Sequence, residues 1–199
     1  MSTSPTGKTG VAPTVRWRTV DILVAAVLGV AIGIVFWFWG ILWQSTGPLF
    51  VAFPPAQAVI YGVWLLPGVL GPLVIRKPLA GVLTSLAAGL VSALLGTTWG
   101  LMVILAAFLQ GLLPEIVFAA GRYRHWGMGI AVLAAAVAGL SPVVMDLTLY
   151  YPTWPLLYKA VYAVLVIGSA AVIAGVGGRL LTSALARAGA LGPFPSANG

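Results

Sequence analysis

The chain contains no cysteine, one histidine and only three acidic residues, and these shortages exclude several kinds of site. Without cysteine it can form neither a disulfide framework nor a thiol site. A lone histidine leaves too few ligands for a zinc site. That histidine, His125, stands beside Arg122, Tyr123 and Arg124, and no GxSxG motif supplies a serine nucleophile for it to activate. The loop GxxxxGK[ST] of ATP hydrolases is also missing. We therefore expect no catalytic residues, no metal and no cofactor, and we interpret the chain as something other than an enzyme.

Charged residues are scarce as well, at 7% of the 199 residues, whereas hydrophobic residues make up 61%. A soluble domain carries about 25% charged residues. This balance predicts an all-α integral membrane protein that forms one compact bundle. The net charge of +7 does not indicate nucleic-acid binding, because the basic residues lie at the ends of apolar runs rather than in one cluster.

Six apolar runs can each form a helix across a hydrocarbon layer about 30 Å thick, which takes about 20 residues. They predict transmembrane helices near residues 20–43, 56–75, 79–95, 99–120, 128–149 and 155–188, the second of them interrupted by Pro67 and Gly68. The six-helix substrate-binding domain would thus span 19–188. The segments 1–18 and 189–199 are predicted to be disordered cytoplasmic tails.

The basic residues predict how the bundle is oriented. If the N-terminus is cytoplasmic, nine of them fall in cytoplasmic segments and only Lys159 lies outside. Because cytoplasmic loops of membrane proteins carry an excess of Lys and Arg, we expect both termini to be cytoplasmic.

Aromatic residues are concentrated in the segments predicted to lie near the outer surface. They could form the ordinary belt at the membrane interface. They could also line a pocket, because a few polar groups accompany them. The candidate binding residues here are Trp39, Trp43, Gln44, Tyr61, Trp64, Trp99, Gln110, Asp146, Tyr151, Trp154 and Tyr158. Such a pocket suits a flat, nitrogen-bearing or cationic ligand. Asp146 and Lys159 could instead pair with each other.

Glu115 lies inside the apolar run of the fourth helix, directly after Pro114. A carboxylate in hydrocarbon is costly and is retained where it faces a bundle interior or a wet cavity. The proline frees a carbonyl in the preceding turn, which often accompanies such a cavity. We therefore add Glu115 to the candidate binding residues. The alternative is a structural hydrogen bond to a neighbouring helix.

The first helix carries small residues at every fourth position, Ala25, Gly29 and Gly33. A stripe of small residues lets another helix approach closely. The partner helix could belong to another protein or to the same bundle.

Three segments resemble a known family of membrane proteins: YGVWLLPGVLGPLVIRKPLAG (61–81), SALLGTTWG (92–100) and QGLLPEIVFAAGRYR (110–124). They are similar to S components, the substrate-binding membrane subunits of energy-coupling factor (ECF) vitamin importers. The closer resemblance is to the YkoE family, which is linked to thiamin and its hydroxymethylpyrimidine precursor.

The resemblance implies a function and a set of partners. The chain would bind its vitamin from outside and deliver it across the cell membrane with a transmembrane coupling protein and two cytoplasmic ATPases. The Ala25, Gly29 and Gly33 face would contact the coupling protein, although the family's motif is usually richer in alanine. The alternative is a stand-alone secondary carrier, for which so few acidic residues supply little of a proton path.

Overall fold

The computed structural model describes residues 16–198, and over that range the chain forms an antiparallel bundle of six apolar helices. The helices are α1 (Thr19–Thr46), α2 (Pro54–Ile75), α3 (Ala80–Leu94), α4 (Met102–Ala120), α5 (Met128–Leu149) and α6 (Leu156–Arg187). Five of them are long and apolar enough to cross a membrane, whereas α3 has only 15 residues. The predicted all-α membrane bundle is confirmed. The N-terminal segment 1–15 lies outside the described residues.

The second helix, α2, lies at the centre of the bundle and changes its winding partway along. Its first part, Pro54–Leu65, is a 3₁₀-helix, and its second part, Leu66–Ile75, is α-helical. The change falls just before Pro67, where the sequence predicts an interruption. Pro67 is thereby placed in the first turn of the α-helical part, where a missing backbone N–H costs nothing. All residues from Pro67 to Ile75 are buried.

The small-residue stripe of α1 packs against α3 of the same chain. Ala25, Gly29 and Gly33 are all buried. A Cβ added at Gly29 would overlap Ala87, and one added at Gly33 would overlap Val91. The predicted use of this face to bind the coupling protein is therefore corrected, because α3 already occupies it. The exposed face of α1 is the opposite one, which is aliphatic and aromatic between Ile22 and Leu42.

The backbones of α2, α3 and α4 touch one another at three glycines. A Cβ at Gly81 would meet the carbonyl oxygens of Gly68 and Gly111, the second at 3.2 Å. A Cβ at Gly111 would lie 2.7 Å from the carbonyl oxygen of Gly81. Only hydrogen fits at these positions, so the three helices meet without intervening side chains. We call Gly68, Gly81 and Gly111 the glycine junction.

The last helix, α6, also changes its winding, with a π-helical stretch at Ala170–Gly177. Just before that stretch, the Ser169 hydroxyl donates to the Val59 carbonyl oxygen at 2.6 Å and accepts from the Gly62 backbone N–H at 2.8 Å. The 3₁₀ part of α2 is thereby fixed to α6, which sets the position of the tyrosine and tryptophan side chains that α2 carries nearby.

The segment after α6 folds back on the bundle, so the prediction of a disordered tail from residue 189 is corrected for residues 189–198. Leu191 and Phe194 are buried against α1, α2 and α3. The Ser196 hydroxyl donates to the Val74 carbonyl oxygen at 2.7 Å, and the Arg18 guanidinium donates to the Pro193 carbonyl oxygen. Two apolar side chains spaced three residues apart give this short segment an apolar face to bury.

An ion-pair cluster lies beside this segment, at the start of α1. Asp21 is fully buried and pairs with Arg18 at 2.9 Å and with Lys77. Lys77 also donates to the Arg16 carbonyl oxygen. The cluster connects the start of α1 to the turn between α2 and α3.

Candidate functional site

An open cavity lies at one end of the bundle, among α1, α2, α4 and α5. Most of its walls are aromatic or aliphatic. The lining residues are Phe36, Trp43, Tyr61, Trp64, Trp99, Met102, Val103, Ala106, Ala107, Gln110, Met145, Asp146, Tyr150 and Tyr151. An apolar and aromatic lining with a few polar groups is typical of small-molecule sites.

Three aromatic rings form one wall of the cavity and support one another. Trp43 from α1 contacts Tyr61 and Trp64 from α2, with ring centroids 5.7 and 5.0 Å apart. Tyr61 and Trp64 are also 5.0 Å apart, and all three pairs meet edge to face. Edge-to-face pairs at these distances are favourable beyond the area they bury. These contacts hold the three rings together as one wall.

Trp99 crosses the mouth of the cavity from the turn between α3 and α4. Its ring lies 6.5 Å from Trp64 and 5.7 Å from Tyr150, which belongs to the turn between α5 and α6. Gly96 and Gly100 flank it with φ angles of 80° and 58°. Side chains strongly disfavour such angles, so glycine at these positions fixes the turn that holds Trp99 in place.

A second aromatic layer lies behind the lining. Tyr151 is stacked on Trp154, with centroids 4.0 Å apart and an interplanar angle of 15°. Trp154 in turn contacts Tyr158 and Tyr162 edge to face. Burial and the neighbouring Asp146 carboxylate raise the pKa of Tyr151, so its hydroxyl stays protonated. Trp154 and Tyr158 were predicted to bind the ligand, but the structure places them in this supporting layer.

Asp146 is the one acidic side chain that lines the cavity. It is 7% exposed, and one carboxylate oxygen accepts from the Tyr162 hydroxyl. Lys159 does not pair with it and instead donates to the Pro152 carbonyl oxygen at 2.7 Å. Among residues 16–198 every ion pair involves Asp21. The Asp146 carboxylate thus faces an aromatic cavity without a cationic partner from the described part of the chain.

Glu115 lies away from the cavity, beyond Gln110 and next to the glycine junction. It is 3% exposed, and its two oxygens accept from the Gly81 backbone N–H at 2.7 Å and the Tyr123 hydroxyl at 2.8 Å. Gly81 lies in the first turn of α3, where backbone N–H groups lack helical partners. Burial and this carboxylate raise the pKa of Tyr123, which keeps its hydroxyl a donor. These contacts match the structural alternative for Glu115.

Seven of the twelve predicted binding residues line the cavity, and five do not. Trp39 donates through its indole N–H to the Ile60 carbonyl oxygen at 3.1 Å, and Gln44 is exposed and contacts Thr98. The remaining three are Glu115, Trp154 and Tyr158. The lining residues that the prediction missed are Phe36, Met102, Val103, Ala106, Ala107, Met145 and Tyr150.

One face of α4 supplies most of the lining residues that the prediction missed. Val103, Ala106, Ala107 and Gln110 follow one another at intervals of one, three or four residues and therefore share a side of the helix. The helical spacing from Gln110 could have indicated which side of α4 faces the cavity. It could not have shown that the apolar residues on that side line a cavity rather than pack against another helix. A membrane bundle with an aromatic cavity and one carboxylate in its lining has the features of a membrane protein that binds small solutes.

Comparisons with known proteins agree with that class. The family model described as "ABC-type cobalt transport system, permease component" matches residues 20–141. A candidate HMP/thiamine permease protein, YkoE of Bacillus subtilis (strain 168), is 30% identical over 180 residues, which are 88% of this chain and 87% of that one. The crystal structure of an S-component of an ECF transporter superposes with a TM-score of 0.87 at 28% identity and covers 92% of each chain.

The chain belongs to the YkoE family of ECF transporter S components. It is a multi-pass protein of the cell membrane and a transporter subunit rather than an enzyme, as its sequence predicts.

Proposed function

We propose that this S component binds thiamin or its hydroxymethylpyrimidine precursor in the aromatic cavity. The observation that carries the proposal is Asp146, a nearly buried carboxylate in an aromatic wall with no cationic side chain paired to it in the described chain. A carboxylate in this setting is stabilised by a ligand that brings positive charge or N–H donors. An aminopyrimidine brings donors, and the thiazolium of thiamin also brings a charge.

The other lining residues suit the flat part of such a ligand. Trp43, Trp64 and Trp99 offer ring faces or edges for a heterocycle, and Trp and Tyr attract a cation through their ring electrons. Gln110 at the inner end of the cavity is 7% exposed and has both a donor and an acceptor for ring nitrogens. The relative YkoE is described as a candidate HMP/thiamine permease, which supports this ligand class.

The family model carries cobalt in its description, so a metal cargo is the competing ligand. Cobalt would require several nitrogen, oxygen or sulfur ligands around one point. Within residues 16–198, no three His, Cys, Asp or Glu side chains come together in such a group. The cavity offers one carboxylate and one amide among aromatic rings, a set of groups that fits an organic heterocycle.

We further propose that the cavity opens to the outside, that both termini are cytoplasmic, and that a coupling protein with two ATPases drives uptake. Eight basic residues within the described range 16–198 lie near the opposite end and support this orientation. The acidic side chains do not form a proton path through the bundle, which supports uptake driven by an ATPase. Asp21 is in an ion-pair cluster, Glu115 is bonded to Gly81 and Tyr123, and neither lies at the cavity. A stand-alone proton-coupled carrier would need a relay that connects such groups.

Titration of the purified protein with thiamin and, separately, with hydroxymethylpyrimidine tests the ligand. Three of the eight tryptophans line the cavity, so we expect saturable quenching of intrinsic fluorescence. No response to either compound, in protein whose helical circular dichroism is intact, would refute this ligand class. Uptake by vesicles tests the coupling: accumulation driven by a proton gradient without any ATPase would favour the stand-alone carrier.

A further inference from the structure

Two arginines near the end of the bundle opposite the cavity have no acidic side chain beside them. Arg76 directly follows α2, and Arg179 lies in the last part of α6. The chain has three acidic residues, and Asp21, Glu115 and Asp146 all bond to other groups. The last part of α6 packs against α2, since a Cβ added at Gly178 would lie 3.9 Å from the side chain of Leu73, and this places Arg179 beside the end of α2. Burial and the charge of Arg179 lower the pKa of Arg76. Two neighbouring cations with no acidic partner favour an anion.

The Arg76 guanidinium is held in place but incompletely bonded. It lies over the Trp126 ring, with Cζ 5.7 Å from the ring centroid, and Nη1 donates to the Pro195 carbonyl oxygen at 3.3 Å. Its Nε is buried and has no hydrogen-bond acceptor in the described part of the chain. A buried donor without an acceptor is costly, more so when it belongs to a charged group. The fork of donors in a guanidinium matches a phosphate group.

The surroundings of Arg179 indicate where that phosphate comes from. The side chains of Leu180 and Leu181, next along α6, are 56% and 39% exposed. Trp126 is half-buried, as is typical of tryptophan at the level of lipid headgroups. An anion that reaches both arginines therefore lies where the headgroup of a phospholipid would lie, with its acyl chains against the leucines. Basic pockets between membrane helices bind such headgroups.

We propose that Arg76 and Arg179 form a binding site for the phosphate of an anionic phospholipid. Arg76 binds through the donors that the chain leaves free, and Arg179 supplies the second charge from α6. A bound lipid would join the end of α2 to α6 and to the segment 189–198, which Arg76 already contacts. This site is independent of the ligand proposed for the cavity.

Native mass spectrometry of the detergent-purified chain, together with thermal unfolding, tests the site. The probes are phosphatidylglycerol, zwitterionic phosphatidylcholine and inorganic phosphate. We expect one phosphatidylglycerol to be retained in preference to phosphatidylcholine and to raise the unfolding temperature saturably. Arg76→Gln and Arg179→Gln should each weaken this binding about tenfold or more, because each removes a charge-assisted hydrogen-bond donor.

Arg124→Gln and Arg187→Gln are matched controls, because both residues are exposed arginines near the same end and lose the same charge. They should retain phosphatidylglycerol as the unmodified chain does. If the controls and the test variants lost phosphatidylglycerol binding equally, the effect would come from net charge alone, and the proposed site would be overturned. Equal stabilisation by inorganic phosphate at millimolar concentration would overturn the lipid as its source. If Arg76→Gln does not fold, Arg179→Gln alone decides, since the hydrogen bond that its guanidinium makes to a described residue is to Ser183 on its own helix.

Discussion

Asn in place of Asp146 removes the charge of the cavity and little else. Asn has nearly the same shape, and its amide oxygen can accept the hydrogen bond that the Tyr162 hydroxyl now gives to the carboxylate. We therefore expect the variant to fold with its aromatic wall in place. Any change in ligand affinity then reports the contact between the carboxylate and the ligand.

The burial of Asp146 sets the size of the expected effect. The residue is only 7% exposed, so water does little to weaken its interaction with a ligand. A hydrogen bond to a charged group contributes about 1.5–3 kcal/mol. Since about 1.4 kcal/mol corresponds to a tenfold change in Kd, Asp146→Asn should weaken binding of thiamin by roughly 10- to 150-fold.

Isothermal titration and tryptophan quenching measure this change on the same sample. Glu115→Gln is the matched control, because it neutralises another deeply buried carboxylate of the bundle, which lies outside the cavity. Its affinity for thiamin should stay within about twofold of the unmodified chain. A folded Asp146→Asn variant with unchanged affinity would refute the role of the carboxylate, and a large loss in Glu115→Gln would return ligand binding to Glu115.

Three further changes test the packing. Glu115→Gln should lower stability by about 1–3 kcal/mol, seen as a lower unfolding temperature, because an amide cannot satisfy both of the donors that the carboxylate accepts from; an unchanged temperature would contradict its structural role. Gly29→Leu should reduce folded yield, because the new side chain would overlap Ala87 on α3; a normally stable variant that fails only to assemble with the coupling protein would restore the face to that partner. Phe194→Ala should destabilise the chain by about 3–5 kcal/mol if its burial matters as in other cores; loss of the segment 189–198 without any thermal shift would argue that this packing contributes nothing.

The helices could be predicted from the sequence because each depends mainly on its own apolar length. The contacts between helices could not be predicted in this way. The stripe of Gly29 and Gly33 allows any helix to approach, so nothing in α1 distinguishes α3 from a helix of another protein. The position of Glu115 in an apolar run indicated that its carboxylate is costly to bury. It did not indicate that the first turn of α3 and a tyrosine supply the hydrogen bonds to that carboxylate.

The candidate site was predictable where its residues are chemically distinctive. Aromatic and polar lining residues such as Trp64 and Asp146 stand out in an aliphatic chain. Met102 and Ala106 do not, because methionine and alanine serve equally in a wall or in a helix interface. Trp154 and Tyr158 show the opposite error, since an aromatic residue near a cavity can support its wall from behind.

The glycine junction has a consequence for the permeability of the membrane. Gln110 lies at the inner end of the cavity, and Gly68 packs directly against its backbone. With α2, α3 and α4 in backbone contact there, the cavity is a cup with a closed base rather than a tube. Cells that produce this chain alone should therefore keep their ion gradients. Under the proposed function, a vitamin bound in the cup would leave by the rim through which it entered, so its passage would require the cup itself to change the side that it faces.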